Sequence, residues 1–305
     1  LEPRGFGDRW CYIDHAGNHH GSTKEQWLGI CRDADLFLNL SGGAWFWRDE
    51  YASIPKSAFI DSDPAFTQLA IAEGVAWYND FFRRFDKLFT FGSNIGKPGC
   101  DVPTGGFEWH HAWQPVCLDE WQPLETEPRN TFSTVMTWKI KSFGDIGGNK
   151  DQEFLNILDL PQRTKVPMEL AVNGPQDFLR QHGWTCRDSF EVSKDLEVYR
   201  DYLRTSLGEF SVAKHTYVRT NSGWFSDRTE CYLASGRPAV VQDTGFSQHL
   251  PTGEGLISFR NIDEAKAGLE AVASDPKRHS RAAREIAEQH FDSDKVLTKM
   301  LSQLF

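Results

Sequence analysis

At 305 residues the chain exceeds one ordinary core and fits two domains of about 150 residues each. A formal net charge of −10, from 33 basic and 43 acidic side chains, speaks against a nucleic-acid partner, because a phosphate backbone calls for a basic face. The 39% hydrophobic and 25% charged content is that of a soluble globular protein, and no apolar run of about 18 residues exists to span a bilayer. A cytoplasmic location and no membrane span are therefore expected. The start, Leu1-Glu2-Pro3-Arg4-Gly5, has neither a signal-peptide core nor an initiator methionine, so the first domain is expected to be incomplete at its start. Six scattered cysteines, Cys11, Cys31, Cys100, Cys117, Cys186 and Cys231, include no C-x-x-C pair and read as reduced thiols.

The first half is the less regular. The run 34–40 and the run 57–60 read as strands, the first ending in Ser41-Gly42-Gly43 and the second in Asp61-Ser62-Asp63-Pro64. A helix is predicted over 66–82 and a short strand over 88–92. Residues 93–130, rich in Gly, Pro and Trp, read as loops and linker. Eight of the 11 tryptophans, Trp10, Trp27, Trp45, Trp47, Trp77, Trp109, Trp113 and Trp121, precede residue 125. Flat aromatic faces suit the C–H faces of sugar rings, so this half is expected to bind a saccharide or other ring-bearing acceptor.

The second half alternates strands with helices. Strand 133–138 is followed by a loop containing Gly144, Gly147 and Gly148, then a helix over 151–160. A strand over 168–172 precedes a helix over 176–181 that Gly183 closes. A helix over 196–210, strands over 239–241 and 256–259, and a helix capped by Asn261 with Glu264 in capping-box position follow. Asp275-Pro276 opens a long last helix. This order implies βαβ units on a parallel sheet. The predicted division is 1–128 and 129–305.

The informative stretch is Thr220-Asn221-Ser222-Gly223-Trp224-Phe225-Ser226-Asp227-Arg228-Thr229-Glu230, continuing to Gly236-Arg237-Pro238. A Gly-containing loop runs into Ser226, a good N-cap, and Gly236 and Pro238 stop the short helix. Unpaired N–H groups at a helix start, reinforced by its dipole, suit a diphosphate. The next strand ends in Gln242-Asp243-Thr244-Gly245-Phe246, which puts a second loop at the carboxyl end of the sheet, where ligands of α/β folds sit. Arg228 or Lys214 could neutralise the diphosphate.

This stretch resembles the donor-binding signature of GT-B glycosyltransferases, in which a Gly-Trp-x-Ser loop precedes a glutamate-bearing helix, then Gly-x-Pro and a strand. The resemblance implies an α/β fold of two Rossmann-like domains with a cleft between them and the last helix packing back on the first domain. Val296, Leu297, Met300, Leu301 and Leu304 offer an apolar face for that. It implies that Ser222, Gly223, Trp224 and Ser226 hold the pyrophosphate, that Glu230 holds the ribose, and that Asp243, Thr244, Gly245 and Phe246 lie near the donor sugar and phosphates.

Transfer of a sugar from a nucleotide diphosphate sugar, such as a UDP-sugar, to an unidentified small-molecule or saccharide acceptor is the function expected. The donor is a co-substrate, and no cofactor and no metal are expected. An inverting transfer needs a base, and Asp61 and Asp63, at the end of an apolar strand, are the first candidates. His110, His111, His15, His19 and His20 are further ones. Asp61-Ser62-Asp63 also matches the Asp-x-Asp metal motif of the other large glycosyltransferase fold, but the tandem βαβ pattern disfavours it. A nucleotide-sugar epimerase of the same fold and a non-catalytic nucleotide-sugar-binding protein are the alternatives.

Overall fold

The computed structural model describes residues 5–139 and 148–305; Gly144 and Gly147 lie outside them. A hairpin of β1 (Cys11–Ile13) and β2 (His19–Gly21) leads into α1 (Lys24–Asp33). Thr23 and Gln26 form a reciprocal capping box at the start of that helix. The first parallel sheet follows, in the order β3 (Leu36–Leu40), β4 (Lys56–Asp61), β5 (Lys87–Thr90), β6 (Trp109–His111). The stretch predicted as one helix is two, α2 (Phe66–Ala72) and α3 (Ala76–Phe82), parted at Gly74, which takes φ +84°. Phe59, Phe82, Phe85 and Trp109 fill the space between sheet and helices.

The second sheet has six parallel strands, in the spatial order Leu256–Phe259, Ala239–Gln242, Gly208–Ser211, Phe132–Thr137, Met168–Asn173 and Thr185–Arg187. In chain order its elements are β7 (Phe132–Thr137), α4 (Lys150–Leu155), α5 (Leu160–Arg163), β8 (Met168–Asn173), α6 (Gln176–Gln181), β9 (Thr185–Arg187), α7 (Ser189–Ser193) and α8 (Leu196–Arg204). They continue with β10 (Gly208–Ser211), α9 (His215–Arg219), α10 (Asp227–Ala234), β11 (Ala239–Gln242), β12 (Leu256–Phe259), α11 (Ile262–Ser274), α12 (Pro276–His290) and α13 (Ser293–Leu301).

Two further expectations are corrected. The helix predicted over 196–210 ends at Arg204, and Gly208–Ser211 is a central strand between β7 and β11. It carries no β-branched residue, and its four positions are all buried, so neither propensity nor alternation marks it. The long last helix breaks at Phe291, whose ring is wholly buried, and α13 starts afresh on an Asp292 cap.

Phe132, Phe154, Leu170, Phe210 and Phe259 pack one face of this sheet, and Tyr232, Leu233, Ala239 and Phe291 the other. Val296, Met300 and Leu304 leave the second sheet altogether and join Ala58, Ile60, Phe89, Phe91 and Ala112 of the first. Among the described residues no helix is long and apolar enough to cross a membrane.

Candidate active site

The two sheets meet along a seam of loops. Gly92 and Trp224 form an antiparallel bridge. Asn94 N–H donates to Ser222 O at 3.1 Å and its side-chain amide to Asn221 O at 3.0 Å. Ser93 Oγ donates to Gly223 O at 3.0 Å. Two glycines permit this approach. A Cβ on Gly223 (φ +72°) would lie 2.2 Å from Ser93 Oγ, and one on Gly245 (φ +97°) would lie 2.1 Å from Asn221 Oδ1.

Beside the seam a cavity of about 330 Å³ opens over the carboxyl ends of β7 and β10. Lys150, Lys214 and the start of α10, with Ser226, Asp227 and Arg228, line it. Lys150 has no hydrogen bond or ion pair among the described residues. Burial, with the charges of Arg228 and Lys214 adding to it, lowers its pKa to about 7. A half-desolvated ammonium facing a helix N-terminus stands ready for an anion.

On the other side of the seam a second cavity of about 570 Å³ lies at the carboxyl ends of β3 and β4. Asp61 lines it and is 3% exposed. Gln68 Nε2 donates to its Oδ2 at 2.6 Å and Thr90 Oγ1 to the same oxygen at 3.3 Å. Burial, opposed by the Gln68 hydrogen bond and helped by the Asp63 charge, raises its pKa to about 6. Asp63 stands at the mouth and accepts from Lys214 Nζ through both oxygens, at 2.8 and 2.9 Å. The same ammonium lies 4.7 Å from the Phe66 ring and 5.3 Å from that of Tyr217. Lys214 therefore lines the first cavity and reaches the mouth of the second through Asp63.

The other sequence-selected residues are placed otherwise. The loop N–H groups expected to hold a pyrophosphate are engaged: Ser222 N–H with Tyr217 O, Gly223 N–H with Thr244 O, and Trp224 N–H with Ser222 Oγ. The Trp224 ring stacks on Tyr217 at 4.5 Å and forms part of the wall of the first cavity. Arg228 forms the cavity floor, but its guanidinium is committed to Glu209 (2.7 Å), Val135 O (2.8 Å) and Ser211 Oγ (2.7 Å). Glu230 lines neither cavity. It is fully enclosed, and neither oxygen has a hydrogen-bond partner among the described residues. Burial, then the Asp227 charge, holds its carboxyl well above the usual range.

Asp243 caps the turn that follows it, accepting from Gly245 N–H and Ser247 Oγ, and pairs with Arg260 at 2.8 Å. Thr244 Oγ1 donates to Trp224 O, and Phe246 packs on Phe225 in the core. These residues make the seam and the core rather than the cavity over β7. His15, His19 and His20 sit on or beside the hairpin of β1 and β2, where His20 meets Asp14. His111 lies at the seam, near His249, and His110 meets Lys87. Sequence reasoning missed Lys150; its signal was a lysine opening a helix shortly after the glycines that follow β7 in the sequence.

No protein-family model and no curated protein sequence matches the chain. Solved structures do. An α-glucosyltransferase held with UDP-glucose and DNA containing an abasic site superposes with a TM-score of 0.56 at 14% identity, over 91% of this chain and 82% of that one. HepE from Anabaena, in complex with UDP and glucose, gives 0.55 at 13% identity, over 92% and 81%. TarM gives 0.52 at 9% identity over 94% of this chain, which spans only 59% of TarM's length. The chain thus has the fold of the GT-B glycosyltransferases, two Rossmann-like α/β domains facing each other across a cleft.

Proposed function

We propose that the protein transfers a sugar from a nucleotide diphosphate sugar, with UDP as the nucleotide, to a hydroxyl acceptor, and that it does so without a metal. The observation that carries this is the shared position of Lys214, between a cavity that offers Lys150 and a helix N-terminus and one that offers Asp61. The diphosphate lies over the start of α10, where Lys150 neutralises it in place of a divalent ion, with Lys214 alongside in its pair with Asp63. The acceptor oxygen attacks the anomeric carbon, the bond to the diphosphate breaks, and the diphosphate leaves with the electron pair. The acceptor proton passes to Asp61. UDP or UDP-glucose bound in the structures of similar fold supports the choice of nucleotide. The acidic balance of the chain speaks against DNA as acceptor.

Thermal shift tests the donor half. UDP at about 100 times its dissociation constant should stabilise the parent by about 2.7 kcal/mol. Lys150→Met removes one charge-assisted contact worth roughly 1.5–3 kcal/mol, so its UDP affinity should fall roughly 10–150-fold. Because the Lys150 pKa is about 7, parent affinity should weaken as pH rises from 6 to 8, and the variant should lack that slope. UDP binding that Lys150→Met leaves intact would put the nucleotide elsewhere. Acceptor-dependent UDP release then separates transfer from epimerisation.

A further inference from the structure

The cavity beside Asp61 has a composition that selects by charge. Its walls are mainly apolar, with rings from Trp45, Phe59, Phe66 and Tyr78. Among the described residues the charged groups on the lining are all carboxylates, Asp61, Asp63 and Glu73. The cation at its mouth, Lys214, is already held by both oxygens of Asp63. A phosphate or carboxylate entering this space would be desolvated against like charge with no free donor of opposite sign.

Trp45 is built as a fixed plane. It stands edge-on to Trp77 and Tyr78, at 86° to each, and packs on Phe81 at 5.3 Å. Gly42, at φ +74°, lets its indole lie against the backbone, since a Cβ there would fall 1.9 Å from the ring. The indole is still 36% exposed and lines the cavity. A rigid apolar plane opposite hydrogen-bonding carboxylates suits a ring with an apolar face and hydroxyl edges.

We propose that this cavity is the acceptor site and that it takes a hydroxyl-bearing ring carrying no anionic group, while rejecting phosphorylated and carboxylated acceptors. The proposal rests on the sugar-transfer reading. Asp61 meets the reacting hydroxyl, Trp45 carries the ring, and Glu73 sets the charge selectivity from the outer wall.

The test uses the full chain saturated with UDP, whose own binding is measured first by calorimetry. Two probes of matched shape are compared by saturation-transfer NMR, phenyl β-glucoside and phenyl β-glucuronide, which differ by one carboxylate. The glucoside is expected to bind at least 30-fold more tightly. Trp45→Ala should weaken the glucoside at least tenfold with UDP affinity unchanged. Glu73 is exposed at the end of α2, so Glu73→Lys should fold normally and narrow the glucoside preference at least fivefold. Equal binding of the two probes, tighter binding of the glucuronide, no binding of either, or a preference that Glu73→Lys leaves unchanged would overturn the proposal. Failure of UDP to bind in the calorimeter sinks the sugar-transfer reading instead, and is seen before any acceptor is added.

Discussion

Asp61→Asn should cut sugar transfer about 10²- to 10⁴-fold, the usual contribution of a positioned general base, while leaving UDP affinity at the parent value. It should also make the protein more stable at pH 8. Burial lifts the Asp61 carboxyl from 3.8 to about 6, so the folded state holds this proton more tightly than the unfolded chain. Stability from this group is therefore full below about pH 4, falls as pH rises to about 6, and stays low above that. A shift of that size corresponds to about 3 kcal/mol. Asparagine cannot ionise and keeps an oxygen for Gln68, so the variant should lose this slope and gain most of that energy at pH 8. Melting curves between pH 4 and pH 8 read the stability arm, and single-turnover transfer at saturating donor reads the chemical one. A transfer loss under tenfold would remove Asp61 as the base and favour a mechanism in which the leaving diphosphate takes the proton.

The second large effect belongs to Arg228. Its side chain joins Glu209 of β10, the carbonyl of Val135 in β7 and the hydroxyl of Ser211, so it ties two central strands to the start of α10. Glu209 is 0% exposed, and its Oε2 already has no partner among the described residues. Arg228→Ala would strand that carboxylate in the core, at a cost of roughly 3–5 kcal/mol. The expected fall in Tm is roughly 6–20 °C. Arg228→Met combined with Glu209→Met should recover most of the loss, because removing both charges also removes the desolvation cost. If Arg228→Ala instead keeps the parental Tm and loses only UDP binding, the guanidinium serves the ligand rather than the sheet.

The contrast between Arg228 and Lys150 shows how far the sequence could be read. Both are basic residues near helix starts that face the donor-side cavity, and the sequence stretch with the family resemblance contains only Arg228. Which of the two is unpaired among the described residues depends on Glu209, nineteen positions upstream of Arg228, and on a strand whose four letters, Gly-Glu-Phe-Ser, carry no strand signal. The alternation of strands and helices after residue 130 was legible because each apolar run ended at glycine, proline or a cap. The loop around Gly223 was legible as something special, but its glycine serves a contact with Ser93 and Asn94, and a partner 130 positions away leaves no local trace. Asp227 at the start of α10 lines the cavity, whereas Glu230, three positions on in the same helix, is 0% exposed and lies in the core. In the first half, tryptophan content pointed to a ring-binding surface, yet Trp109 and Trp121 are buried. Of the eight, only Trp45 lines the acceptor-side cavity.

The position of α13 has a consequence for synthesis. The first sheet is encoded between residues 36 and 111, but one wall of its core is supplied by Val296, Met300 and Leu304. On the ribosome, chain growth delivers the strands of that sheet long before their cover, and Ile60, Phe89 and Phe91 must wait for it. At about 5–20 residues per second, the interval between residue 111 and residue 304 lasts roughly 10–40 seconds. Throughout that time the earlier half is a nascent sheet with an open apolar face, a natural client for holding factors, and the late-emerging α13 is the helix that closes it.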